Sequence, residues 1–266
     1  MGTAIGRNTQ LTNVILHSHL RNIPAIHFRE FARGLKFNRS IKKLKIASGW
    51  NHSDHEAWEH LTRFFIDNEA FECLKLINLC WNVNYHRQLI SALQSFASLK
   101  EFTLSSGYDP GYYNVSAGSA DDDIDALIEH HTCLRKLTIQ GFCMGRGGCA
   151  ALTASSLIQL HLQYGVQIND EGARAFATGL ARNTTLKELK IIHSSNISDI
   201  SWQSIFTAFS TCKVENLIMD SNGLNDASMQ SLSNALLHNT FLKSLILMNC
   251  RRPWSTEEAD YQRWMV

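Results

Sequence analysis

Apolar residues recur along this chain in one figure, apolar-x-x-apolar-x-apolar, with polar residues filling the gaps. It fits at Leu11/Val14/Leu16, Ile41/Leu44/Ile46, Leu74/Ile77/Leu79, Leu99/Phe102/Leu104 and Leu134/Leu137/Ile139. It fits again at Leu157/Leu160/Leu162, Leu186/Leu189/Ile191, Val214/Leu217/Met219 and Leu242/Leu245/Leu247. Successive matches start 23 to 35 residues apart. The mean step is about 29 residues, a spacing that chance does not keep over nine matches. Alternation at period two inside each match predicts a short strand with one buried face.

Between the strands the period changes to that of a helix. Phe28/Phe31/Ala32/Leu35, Leu89/Ala92/Leu93/Phe96, Ile124/Leu127/Ile128/His131, Ala173/Phe176/Ala177/Leu180 and Trp202/Ile205/Phe206/Phe209 all fall at i, i+3, i+4, i+7. Each set makes one apolar stripe of an amphipathic helix. Ser53-x-x-Glu56 and Ser255-x-x-Glu258 read as capping boxes. Asn169, Ser198 and Asn225 stand where N-caps are wanted. "GFCMGRGGCAALTAS", in the shortest repeat, leaves room only for a turn, and "SGYDPGYYNVSAGSA" adds a loop at 106–120.

A strand and a helix cannot bury both apolar faces alone, so neighbouring units must stack around a shared core. Helices need about 10 Å of width and strands about 4.8 Å, so the stack curves with its strands inside. The predicted fold is α/β: a horseshoe-shaped solenoid of about nine strand–helix repeats, forming one domain over 1–266. Its parallel sheet lies on the concave face and its helices on the convex face. "GRNTQL" reads as the tail of a helix entering the first strand with no polar cap before it. A further segment or a partner is therefore expected at that edge. Residues 251–266, "RRPWSTEEADYQRWMV", read as a short C-terminal capping helix.

At this point the chain resembles a leucine-rich repeat protein of the ribonuclease-inhibitor-like subfamily. "LKELKIIHSSNISDISWQSIFTAFSTC" and "VENLIMDSNGLNDASMQSLSNALLHNT" carry most of the likeness, which extends over nearly the whole chain. Asn222, Asn82 and Cys250 fill the Asn/Cys slot of that repeat, and Leu224 the apolar site two residues beyond Asn222. A side chain buried in that slot hydrogen-bonds backbone where the strand turns away. Ser194, Gly49, Gly107, Phe142 and Gly165 depart from the pattern. The resemblance is specific for fold and open on function.

Composition narrows the classes. The formal charge of +1 hides a gradient, because residues 1–46 hold nine Lys/Arg and one acid, Glu30. No run is long and apolar enough to span a bilayer, and the start lacks a signal peptide's apolar core. Seven cysteines without a Cys-x-x-Cys pair suit a reducing cytoplasmic or nuclear setting.

Candidate chemistry is sparse. "HSDHEAWEH" (52–60) spaces its second pair of histidines at i+5, whereas a zinc-binding helix needs i+4. "GFCMGRGGC" lacks the Gly-Lys-Ser/Thr ending of a phosphate loop. "DDDID" (121–125) lacks the alternating ligands of a calcium loop and suits a helix start. No nucleophile, base and orienting acid can be assembled, so the chain is expected to be no enzyme and to carry no cofactor or metal.

The remaining expectation is a non-catalytic interaction scaffold or adaptor with a protein partner on the concave face. Strand positions between the buried ones supply its residues: Lys43, Lys45, Asn78 (with Leu76 and Cys80), Glu101, Thr103, Lys136, Gln140, Gln159, His161, Gln163, Glu188, Lys190, Asp220, Ile246 and Met248. Loop 106–120, with three tyrosines, is a second candidate contact. The alternative is docking of nucleic acid or an anionic surface at the basic N-terminal end, residues 29–45. A more distant alternative is a GTPase-activating regulator, since the Ran GTPase-activating family has a similar repeat type.

Overall fold

The computed structural model describes residues 2–17, 24–47, 55–68, 71–79, 88–89, 91–93, 98–106, 127–128, 133–194 and 197–250. Strands β1 (Asn13–His17), β2 (Lys43–Ala47), β3 (Cys73–Leu79), β4 (Glu101–Ser106) and β5 (Lys136–Gln140) are followed by a short β6 (Cys143–Met144). Then come β7 (Gln159–Gln163), a short β8 (Gln167–Ile168), β9 (Glu188–Ile192), β10 (Asn216–Asp220) and β11 (Ser244–Met248). The helices whose bounds are described are α1 (Gly2–Arg7), α2 (Ala25–Leu35), α3 (His55–Ile66), α4 (Arg146–Ala154), α5 (Asp170–Arg182), α6 (Asp199–Ala208) and α7 (Asp226–Leu236).

Nine strands form one open sheet in the order β1-β2-β3-β4-β5-β7-β9-β10-β11, while β6 and β8 pair separately. All pairings are parallel, and the register carries each apolar position onto the next: Leu189 beside Leu217, Leu217 beside Leu245. At every step two consecutive N–H groups donate to one carbonyl of the preceding repeat, as Lys42 and Lys43 do to Thr12 O at 2.8 and 3.0 Å. The sheet is thus advanced by one shared acceptor per repeat.

Helices pack on one side, each against the next: α1 on α2, α2 on α3, α4 on α5, α5 on α6, α6 on α7. Among the described residues the stripes read from the sequence face the core, with Phe28, Phe31, Ala32 and Leu35 of α2 at or near zero exposure, while Phe96, Ile124 and His131 lie outside the described residues. Large aromatics fill the interior of the early repeats, where Phe28 meets Trp58 edge-on at 6.0 Å and Phe71 meets Phe64 at 5.7 Å. Later, Trp202 stacks on Phe206 at 5.3 Å. Such pairs add to simple area burial.

Asparagines three residues ahead of the first apolar position fasten one repeat to the last. Asn38 accepts from the N–H groups of Ser40 and Ile41 (2.8 and 2.9 Å) and donates back to Ile5 O and Asn8 O (both 2.8 Å). Asn183 does the same between Thr185/Leu186 and Thr153/Ser155. Asn239 accepts from Phe241 and Leu242 and donates to Phe209 O and Cys212 O. These groups would otherwise be orphaned where helix becomes strand. The side chains explain why Asn recurs before the apolar figure.

The predicted N-caps form as read. Asn169, Ser198 and Asn225 accept from the N–H groups of Gly172 (2.7 Å), Ser201 (3.1 Å) and Ser228 (2.8 Å). The strand-to-loop slot is also as expected: Asn222 is fully buried, donating to Ile191 O at 2.9 Å and accepting from Ser194 N at 3.1 Å. Cys250 bonds Met219 O and Met248 O, while Ser194 takes the slot with its hydroxyl on Ile192 O.

Two expectations are corrected. In β3 the buried triplet is Phe71/Leu74/Leu76, since Leu74 lies between Leu44 and Phe102 in the ladder and Leu76 beside Ile46. Leu76 therefore points into the core rather than outward, and the outward positions are Cys73, Lys75 and Ile77. "GFCMGRGGCAALTAS" holds a two-residue strand and a nine-residue helix, α4, instead of a turn alone. Small residues let this helix sit close to α5, where a Cβ on Gly179 would fall on the Thr153 side chain.

At the far edge, the inward positions of β11 stand open: Leu245 and Leu247 are 39% and 37% exposed, whereas Leu217 and Met219 of β10 are fully buried. The Ser53 and Ser255 capping boxes, Asn82, Gly49, Gly107, loop 107–120 and the capping helix at 251–266 lie outside the described residues. Among the described residues no helix is long and apolar enough to cross a membrane.

Candidate functional site, the open face of the sheet

The sheet side facing away from the helices presents the alternate residues of nine strands. The register sets them in rows. One row runs Lys43, Cys73, Glu101, Lys136, Gln159, Glu188 and Asn216, and the next Lys45, Lys75, Thr103, Thr138, His161, Lys190, Ile218 and Ile246. A third carries Gln140, Gln163, Ile192, Asp220 and Met248. Of the predicted face residues, Leu76 and Asn78 fall off these rows, Cys80 lies outside the described residues, and the others fall on them. Asn78 lies within the stretch where the β3–β4 register shifts between Leu76 and Leu79, so it leaves the alternation.

Charges on the face are organised by neighbouring strands. Glu101 is the hub of the first half: Lys75 Nζ lies 2.8 Å away, Lys136 Nζ 3.8 Å, and the Cys73 thiol donates to it at 3.4 Å. Burial pushes the Glu101 carboxyl up, but the Lys75 and Cys73 hydrogen bonds and the nearby lysines outweigh it, so it titrates below its ordinary range. Burial and the Glu101 charge drive Cys73 to about 11. Its thiol is therefore protonated near neutrality and a poor nucleophile.

The second half is built on His161 and Glu188. His161 Nε2 is 2.6 Å from Glu188 Oε1, and Gln159 donates to the other carboxylate oxygen at 3.4 Å. Burial holds the imidazole below its usual value against the opposing pull of Glu188. Near neutrality the ring is then neutral, with Nε2–H donated to the carboxylate. Gln140 donates to Gln163 at 3.1 Å, adding a neutral hydrogen-bonding patch. Thr103, Thr138 and His161 are packed almost out of reach of solvent, so they shape the floor more than they offer contacts.

The basic N-terminal end divides in two. On the helical side its arginines are neutralised: Arg29 by Glu56 (3.4 Å), Arg33 by Glu30 (3.7 Å) and Arg39 by Asp67 (3.0 Å). Lys43 and Lys45 lie on the open face and have no ion-pair partner among the described residues. Among the described residues no cluster of three His, Cys, Asp or Glu could hold a metal ion. His60 is turned inward, with Glu56 3.5 Å away.

Sequence reasoning missed one feature of the rim. The residue just past the strand adopts a left-handed conformation in successive repeats: Gly141, Tyr164, His193, Ser221 and Asn249, with φ from 47° to 73°. Tyr164 and His193 stack at 5.5 Å, forming an aromatic step at the end of β7 and β9. Gly141 at the first of these positions is the kind of signal that marks such a turn. On the helical side, a groove of about 790 Å³ runs between α4 and α5, walled by Arg146, Arg174 and Arg182.

No family model matches the chain. No curated protein matches it either.

Proposed function

We propose that this chain is a leucine-rich repeat scaffold of the ribonuclease-inhibitor-like kind, without catalytic activity, that binds a protein partner through the open, concave face of its sheet. The observation that carries this reading is the uninterrupted nine-strand parallel sheet with one face free of helices among the described residues and lined by organised polar, charged and apolar rows. Strands about 4.8 Å apart and about 17 Å long make a face of roughly 650 Å². A standard interface covers about 800 Å² per partner, so the face and its rim are of the right order. Its mixture of lysines, glutamines, isoleucines and an aromatic step suits a protein surface better than a small molecule, which needs a deep cavity. Loop 106–120 is a further contact in this reading.

Docking of nucleic acid or an anionic surface at residues 29–45 has less support, because Arg29, Arg33 and Arg39 are already held by carboxylates. A photo-crosslinking side chain placed at Gln163, on the open face, should capture a discrete partner in the source cell. The same group at Arg174, on the helical side, should not. Equal capture from both positions, or capture from the helical side alone, would sink the reading.

A further inference from the structure

The open face changes character along the stack, and its two ends ask for different chemistry. At the β2–β5 end, the described residues of the open face set four lysines, Lys43, Lys45, Lys75 and Lys136, against one carboxylate, Glu101. Glu101 is already engaged by Lys75 and Lys136 and by the Cys73 thiol, so it has little to give Lys43 or Lys45. Lys45 sits directly beside Lys75 in the ladder. Like charges side by side on a sheet face are destabilising. Lys75 is already paired with Glu101, so Lys43 and Lys45 are the charges left for an arriving carboxylate. At the β10–β11 end, Ile218 lies beside Ile246 and Asp220 beside Met248, with Ile246 and Met248 40% and 44% exposed.

Resting on the reading of this face as the partner surface, we propose that the partner engages it with a bipartite segment, acidic over Lys43/Lys45 and apolar over Ile218/Ile246. From β2 to β10 are six steps of the sheet. At about 4.8 Å each that is about 29 Å, which an extended chain covers in about nine residues. The partner segment thus carries Asp or Glu at one end and large aliphatic side chains about nine residues away. Between them it crosses the neutral Gln140/Gln163 patch, where its backbone groups find hydrogen-bond partners. Buried apolar contact supplies most of the affinity, and the charges fix direction and speed capture.

The test uses the full chain and three labelled synthetic peptides, read by fluorescence anisotropy. One carries four acidic residues, a nine-residue Gly/Ser/Asn spacer and a Leu-Phe-Leu end, and the other two carry each half alone. The bipartite peptide should bind at least about tenfold tighter than either half. Lys43→Glu with Lys45→Glu should weaken it about tenfold or more and reduce its salt dependence. Ile218→Ser with Ile246→Ser should weaken it similarly with the salt dependence intact. A control removing three positive charges elsewhere, Arg146→Gln/Arg174→Gln/Arg182→Gln in the helical groove, should leave binding unchanged. The proposal is overturned if the bipartite peptide does not bind, if it binds no better than its halves, or if the helical-groove control abolishes binding. If the natural partner is still crosslinked from Gln163 and neither charge nor apolar variants disturb that capture, the bipartite chemistry falls while the interaction face stands. If crosslinking is confined to the helical side, the face reading itself falls.

Discussion

Asn38 carries more of the architecture than its size suggests. It is 1% exposed, and its amide accepts from two backbone N–H groups of its own turn while donating to two carbonyls of the preceding one. No other side chain of similar volume offers both lone pairs and two N–H donors in one plane. Asn38→Ala should therefore cost about 3 kcal/mol in urea unfolding, since it strands several partly buried backbone groups. Asn38→Asp keeps the acceptor but turns a carboxylate toward Ile5 O and Asn8 O, and should be at least as damaging at neutral pH. If both variants unfold within about 0.5 kcal/mol of the parent, the staple is ornamental. The same asparagines hold a register signal that the apolar figure alone does not. Asn8, Asn38, Asn183 and Asn239 each stand three residues before the first apolar position, and Asn68, which donates to Ile41 O, points in the same way to Phe71. "CLKLINL" has apolar residues at 74, 76, 77 and 79, so it admits two settings, and Asn68 upstream of it chooses between them.

At the scale of the element, strands and most helices were legible because each buries a single stripe, and the stripe is written at period two or 3.6. Helix α4 was not. Its sequence, Arg146-Gly-Gly-Cys-Ala-Ala-Leu-Thr-Ala, is poor in large apolar residues and opens on glycines that read as a turn. It is helical because it is pressed against α5 by tertiary packing, which overrides weak propensity. Gly179 of α5 faces Thr153 of α4 with no room for a Cβ between them, and the Thr153 hydroxyl is committed to Cys149 O at 3.0 Å. Gly179→Ala therefore drives a methyl into a buried side chain, and should destabilise by about 1–3 kcal/mol despite the better helix propensity of Ala. Adding Thr153→Ala should recover part of that loss, so the pair should be non-additive in a double-mutant cycle. A stabilising Gly179→Ala would mean that the two helices are not in the contact described. The outward rows were legible wherever the strand triplet was rightly placed, and failed in β3, at Leu76 and Asn78, where the triplet slipped. Which of those residues pair with one another was not legible, because Glu101 and Glu188 meet their partners across repeats 23 to 35 residues apart.

The molecule as a whole is a run of shared interfaces, so groups that titrate at those interfaces set its pH range. His161 and His60 are both held below their usual value of 6.5, chiefly by burial. A depressed histidine prefers its neutral form in the folded state, so the unfolded chain takes up the proton first. The stability each contributes is present above 6.5 and declines as pH falls from there toward the folded value. The carboxylates act lower. Glu215, bridging Lys187 and Lys243 at 2.8 and 2.6 Å, is held down to about 2 by those hydrogen bonds, from an ordinary 4.5. Glu101 and Asp170 are shifted the same way. Their contribution is present above about 4.5 and is lost as pH falls through the range down to Glu215's value. On the alkaline side, burial raises Cys73 and Cys212 from 9.0 to about 11, so the folded state keeps those protons while the unfolded chain sheds them. Their contribution is present below 9 and lost between 9 and 11. Urea midpoints recorded across pH should therefore form a plateau between about 7 and 9, with a step down below 6.5 and a second below 4.5. His161→Gln, which keeps a donor toward Glu188, should shrink the first step and leave the second in place. A midpoint that stays flat from pH 7 to pH 5 would show that the imidazoles are solvated, and would remove the packed floor on which the open face is built.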